Sequence, residues 1–148
     1  MAKLDWAVLC EKAIIEAETR NLSLVSLLET VKGSRPADSR SELAKARLVP
    51  HRFSLVQQWS QSKGGKPEVQ TVRSKFVAPN GKLLHVFETK VDLRNHAHAR
   101  TISGFPGFPF EGEGDYTFTI QARSGKAWRS VGKVSFSFQF SAAPKSTI

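Results

Sequence analysis

Near the C-terminus Val134, Phe136, Phe138 and Phe140 alternate with Ser135, Ser137 and Gln139. Successive side chains of a strand point to opposite faces, so this spacing predicts a strand with one apolar and one polar face. Upstream, Tyr116, Phe118, Ile120 and Ala122 alternate with Thr117, Thr119, Gln121 and Arg123, and Ser124-Gly125-Lys126 supplies a turn. The two runs predict a hairpin, with a bend or bulge between Trp128 and Gly132 before the second strand settles.

Asn80-Gly81 signals a second hairpin, because this dipeptide readily adopts the two positive φ angles of a type I′ turn. Its arms are residues 69–78 and 82–93. In the first, Val72, Ser74, Phe76 and Ala78 share one parity, and Arg73 and Lys75 take the other. In the second, Leu83, Phe87, Val91 and Leu93 share one parity, while the opposite face passes from Leu84 and Val86 to Glu88, Lys90 and Asp92.

Residues 52–61 predict another strand, with Phe53, Leu55 and Trp59 on one face and Gly64-Gly65 and Pro67 ending it. Residues 22–31, rich in Leu, Val and Ser, predict one more. Between them residues 33–47 form a polar connection with room for a short helical turn. Pro106 and Pro109 exclude a central strand from Gly-Phe-Pro-Gly-Phe-Pro-Phe and place it at an edge or in a crossing loop. The N-terminal run fits two structures. Trp6, Leu9, Cys10, Ala13, Ile14 and Ala17 follow helical spacing. A strand would instead set Trp6, Val8 and Cys10 on one side, change register near Glu11 and Lys12, and turn at Thr19-Arg20-Asn21 into residues 22–31.

At 148 residues, with 40% hydrophobic and 24% charged residues, the chain has the make-up of one folded domain over 1–148. No repeat or low-complexity linker divides it. Twenty-two basic against 13 acidic side chains give a net charge of +9, which favours anionic partners without choosing among them. The opening Met-Ala-Lys-Leu-Asp-Trp lacks a signal-peptide hydrophobic region, and no stretch approaches the ~18 apolar residues of a membrane span. With Cys10 the only cysteine, a cytoplasmic setting is expected.

Catalytic constellations are sparse. His96 and His98, two apart, would project from one face of a strand and invite comparison with the metal sites of cupin-type jelly rolls. No carboxylate follows between Ala99 and Phe110, however, and only His51 and His85 remain as further histidines, so no metal site is expected. Cys10 lies in an apolar segment and reads as a buried small hydrophobe. There is no Gly-x-Ser-x-Gly elbow, phosphate loop or dinucleotide fingerprint. Asp5, Asp38, Asp92 and Asp115 are scattered, unlike a calcium-binding loop set. Neither a catalytic residue nor a cofactor is expected.

Two surfaces stand out for binding. Lys63, Lys66, Arg73 and Lys75 lie near Trp59 in the sequence and suit a polyanion such as nucleic acid, although the parity of Trp59 assigns it to the core. Phe105, Phe108 and Phe110 either close one end of the core or, where exposed, form a protein interface.

Leu9-Cys10-Glu11-Lys12-Ala13, followed by Leu22-Ser23-Leu24-Val25-Ser26-Leu27 and later by Gly114-Asp115-Tyr116-Thr117-Phe118, resembles a bacterial family of short C2-like β-sandwich proteins with no established function. The long basic connection at 33–47 departs from that pattern. The resemblance implies a bacterial or phage-like setting and a strand rather than a helix at the N-terminus, and it carries no catalytic residues. The expected fold is therefore all-β, one antiparallel β-sandwich of about seven to eight strands. The expected role is a non-enzymatic binding or assembly module acting through protein contacts or self-association at Phe105, Phe108 and Phe110. The alternative is an electrostatic binder of nucleic acid or another polyanion.

Overall fold

The computed structural model describes residues 1–33 and 48–141. In chain order the strands are β1 (Lys3–Ile15), β2 (Leu22–Leu27), β3 (Thr30–Gly33), β4 (Leu48–Val49), β5 (Phe53–Ser60), β6 (Val69–Val77), β7 (Leu83–Asp92), β8 (His98–Phe105), β9 (Phe108–Pro109), β10 (Gly114–Ser124) and β11 (Ala127–Phe140). No helix occurs among the described residues, and so none is long and apolar enough to cross a membrane. The helical turn expected in 33–47 falls, apart from Gly33, outside the described residues.

A four-stranded sheet has the order β2-β1-β5-β8, a five-stranded sheet the order β3-β11-β10-β6-β7, and β4 pairs with β9. The all-β expectation holds at this level, but a single antiparallel sandwich of seven to eight strands does not describe it. Eleven strands form three sheets, and β3 runs parallel to β11. Much of the difference arises at residues 22–31, expected as one strand. The chain leaves the four-stranded sheet after Leu27 and enters the five-stranded sheet at Thr30, where the Ser137 amide donates to the Glu29 carbonyl at 2.9 Å.

The inner faces of the two larger sheets share one core. Phe53 and Leu55 of β5 and Leu9 of β1 meet Phe76, Phe118, Phe136 and Phe138 from the opposite sheet. The Phe53 ring lies 6.1 Å from Phe118 and 5.5 Å from Phe136, centroid to centroid. Further along, Trp59 packs with Val72, Val91, Ile120 and Ala122. Two glutamines are buried with these groups. Gln57 accepts the Trp59 indole N–H at 3.0 Å and donates to Ser74 Oγ at 3.3 Å, linking the two sheets. Gln70 accepts the Ala2 amide at 2.9 Å and donates to the Arg123 carbonyl at 2.8 Å. Such partners offset the cost of burying amides.

The N-terminal segment is a strand, paired with β5 through Cys10 and with β2 beyond it. The register change lies between Leu4 and Trp6 rather than near Glu11 and Lys12. The Asn80-Gly81 hairpin forms between β6 and β7, yet its turn is not type I′. Among the described non-glycine residues only Arg20 and Ser26 have positive φ, so Asn80 does not, whereas Gly81 has φ 86°. The Ala78 amide donates to the Lys82 carbonyl and the Gly81 amide to the Ala78 carbonyl. This is a three-residue Pro79-Asn80-Gly81 loop, in which Pro79 presets the first turn angle and Gly81 takes the left-handed position. The bulge expected between Trp128 and Gly132 is present: Ile120 pairs with Gly132 and Gln121 with Ser130, leaving Val131 as the extra residue.

Tyr116 ties the loop before β10 to the core. Its hydroxyl donates to the Gly112 carbonyl at 2.7 Å and accepts the Glu111 amide at 2.9 Å. Burial, the larger influence, raises its pKa above the usual tyrosine value, opposed in part by the Glu111 hydrogen bond. Tyr116→Phe should cost about 1–2 kcal/mol by removing the hydroxyl that bonds the Glu111 amide and the Gly112 carbonyl. A raised folded-state pKa means that this phenol favours the fold below the ordinary tyrosine pKa and loses that contribution as pH rises through the folded value. Urea titrations at neutral and alkaline pH check both parts: the wild type should lose stability at high pH by a margin that shrinks in Tyr116→Phe.

Candidate binding surfaces

Phe105, Phe108 and Phe110 are gathered at one end of the core. β8 ends at Phe105, the chain crosses at Pro106-Gly107, and Phe108 pairs with Val49. A side chain at Gly107 would collide with the Val49 carbonyl oxygen, so glycine is what admits this crossing. Phe108 is fully buried, its ring 4.8 Å from Tyr116 and 5.0 Å from Phe136. Phe105 stacks on Phe53 at 5.0 Å and is half-buried. Phe110 packs against Phe138 and Phe140 at 5.7 and 5.6 Å. Of the two arrangements expected for these rings, Phe108 takes the enclosed one, while Phe105 and Phe110 are half-buried against the core and keep part of their surface exposed.

A group of exposed apolar side chains lies on the β1–β2 hairpin. Among the described residues β1 pairs beyond Cys10 with β2 alone, so this hairpin extends past β5 as an arm. Its tip turns through Thr19-Arg20-Asn21, where Arg20 has φ 62° and its amide donates to the Glu16 carbonyl. Lys12 opposes Val25, Ile14 opposes Ser23 and Cys10 opposes Leu27, which puts Ile14, Val25 and Leu27 on one face. They are 42%, 42% and 60% exposed. Among the described residues β2 is also an edge strand, with β1 on one side and no strand on the other. The arm is nearly balanced in charge, with Lys12 and Arg20 against Glu11, Glu16 and Glu18, in a chain of net charge +9.

Ile15 and Arg20 of the arm line one open depression with Gln58, His96, His98, Ala99 and Arg100. The tip therefore curls back over the outer face of the four-stranded sheet. His98 Nδ1 lies 3.5 Å from Asp5 Oδ2. Charges of both signs surround these histidines: Arg20 and Arg100 line the same depression, and Asp5 stands against His98. Among the described residues no group of three or more histidine, cysteine, aspartate or glutamate side chains is arranged to hold a metal. Cys10 is fully buried, and that burial pushes its thiol pKa up, the opposite of nucleophile activation.

Of the four residues expected to bind a polyanion, two come together. Arg73 and Lys75 lie on the outer face of β6, whose inner face is Val72, Ser74 and Phe76. Lys63 and Lys66 stand exposed in the turn before β6, where Lys66 bridges to Ser62. Trp59 is fully buried and supplies no surface. Its place is taken by Trp128, whose ring lies 4.3 Å beneath the Arg73 guanidinium. Trp128 opposes Arg123 across the β10–β11 ladder. Its outward position was hidden in the sequence because the extra residue Val131 shifts the alternation running back from Phe136.

No protein-family model matches the chain, and no curated protein matches it.

Proposed function

We propose that this chain is a non-enzymatic assembly module that associates with a second copy of itself through the β1–β2 arm. The observation that carries the reading is the arm's apolar face, Ile14, Val25 and Leu27, left exposed beside a free strand edge. A two-stranded hairpin cannot bury both of its own faces, and an edge strand invites another strand. A second copy suits both features at once. Two β2 edges related by a two-fold axis pair antiparallel, which sets Val25 and Leu27 of both copies side by side on one face of the extended sheet. The arm's near balance of charge removes the repulsion that two copies of so basic a chain would otherwise feel. The resemblance to short C2-like β-sandwich proteins, and the core shared between two sheets, support a sandwich scaffold that presents this arm.

The test is the mass in solution. By analytical ultracentrifugation at tens of micromolar, the wild-type chain is expected to sediment above its 16.4 kDa monomer mass and to remain so in high salt, since the contact is apolar. Replacing Val25 and Leu27 together with serine should return it to monomer with little change in thermal stability, because both side chains are already exposed. A monomeric wild type over the whole concentration range would overturn the proposal, as would a variant that still associates.

A further inference from the structure

We infer that the outer face of the five-stranded sheet binds single-stranded nucleic acid, independently of the arm. Four adjacent strands supply its cations: Lys90 on β7, Arg73 and Lys75 on β6, Arg123 on β10 and Lys133 on β11. The register sets Lys75, Thr119 and Lys133 in one row and Arg73, Gln121 and Ser130 in the next, with Arg123 opposite Trp128 beyond. At about 4.8 Å between strands, the charged face spans about 14 Å. Along β10 alternation keeps the face polar, because Phe118, Ile120 and Ala122 point inward while Thr117, Thr119 and Gln121 point out; the exposed Val69 and Val86 share the face on β6 and β7.

Nucleic acid suits this face better than a featureless polyanion because it carries a flat cationic platform. Arg73 Nε donates to Gln121 Oε1 at 2.8 Å, and its guanidinium lies 4.3 Å over the Trp128 ring. Bases stack on such planes regardless of their identity, while Lys75, Lys133, Lys90 and the Thr and Ser hydroxyls are spaced to meet phosphates. The carboxylates of this face lie toward its margins. Asp92 is held by Arg94 at 2.8 Å, Asp115 accepts from Ser137, and Glu88 sits on the edge strand β7 opposite Arg73. The Asp92 carboxyl is pushed down to about 2, first by that Arg94 hydrogen bond, so its charge is already matched near neutral pH.

Fluorescence anisotropy with labelled oligo(dT) and oligo(rU) of about 15 nucleotides tests the inference. Binding is expected at low salt, with an affinity that falls as salt rises, by about 0.7 in logarithmic slope for each phosphate contact. Replacing Lys75 and Lys133 together with glutamine, both being surface side chains, should flatten that slope by about 1.4. Trp128→Ala should weaken binding about 5- to 150-fold, and Trp128→Phe should largely preserve it. Circular dichroism of each variant confirms that it is folded, and Val25 with Leu27 changed to serine should bind as the wild type does. Three results would overturn the inference: no binding of either oligonucleotide at about 50 mM salt; an unchanged slope in the double lysine variant; or equal affinity for inorganic polyphosphate, with a folded Trp128→Ala binding as the wild type does.

Discussion

Truncating Phe108 to alanine is expected to destabilise the fold by about 3–5 kcal/mol, the usual cost of removing a fully enclosed phenylalanine. The ring sits among Tyr116, Phe136, Phe138 and Phe53, at centroid distances of 4.8, 5.0, 5.7 and 6.4 Å. Its backbone is held by the short β4–β9 pairing, so neighbouring rings have little freedom to collapse into the space. The cost thus combines lost burial with a cavity. Phe105→Ala and Phe110→Ala should cost less, because each ring keeps some exposure. Urea unfolding of the three variants gives the ranking directly. A Phe108→Ala protein within about 1 kcal/mol of the wild type would show that the ring is not part of the core.

Gln57→Leu should be nearly as damaging, at about 2–4 kcal/mol, although it replaces a polar group in the core with an apolar one of similar size. The loss comes from what remains. The Trp59 indole N–H loses its acceptor and Ser74 Oγ its donor, both inside the sheet interface, and each orphaned group costs about 1–3 kcal/mol. A double-mutant cycle separates this from packing. Trp59→Phe removes the stranded indole N–H, so its penalty should be smaller by about 1 kcal/mol in the Gln57→Leu background than in the wild type. Strictly additive penalties would mean that the side-chain hydrogen bond contributes nothing to stability.

Sequence reasoning was strongest where a strand has one wet and one dry face. The β10–β11 and β6–β7 hairpins follow from alternation and from Gly125 and Asn80-Gly81, and even the bulge near Val131 was foreshadowed by the broken pattern after Trp128. β1 was ambiguous for a physical reason. Leu9 faces the shared core while Cys10 is buried from the other side, and a strand with apolar residues on both faces imitates helical spacing. The turn at Asn80-Gly81 was foreseen but its type was not, because Pro79 joins the loop and takes a turn angle that the dipeptide alone does not reveal.

The candidate surfaces were less legible. Trp59 and Trp128 are both flanked by polar and basic residues in the sequence, yet one is enclosed between sheets and the other lies under Arg73. Likewise the Phe-Pro segment and the β1–β2 arm both present apolar side chains, and only the closing of the core encloses Phe108 and leaves Ile14, Val25 and Leu27 exposed.

By itself the sequence determined that the described chain is built from strands, where its two longest hairpins turn, and which face of β5, β6, β10 and β11 is dry. These are local properties, set by a side-chain period of two and by the φ preferences of a few turn residues. Only the tertiary structure decided that residues 22–31 divide between two sheets, that β3 runs parallel to β11, and that Gln57 and Gln70 belong inside. It also decided which apolar side chains of the described residues stay exposed. Each of those outcomes depends on which distant strand comes to lie alongside, and no local pattern of hydrophobic and polar residues encodes that partner.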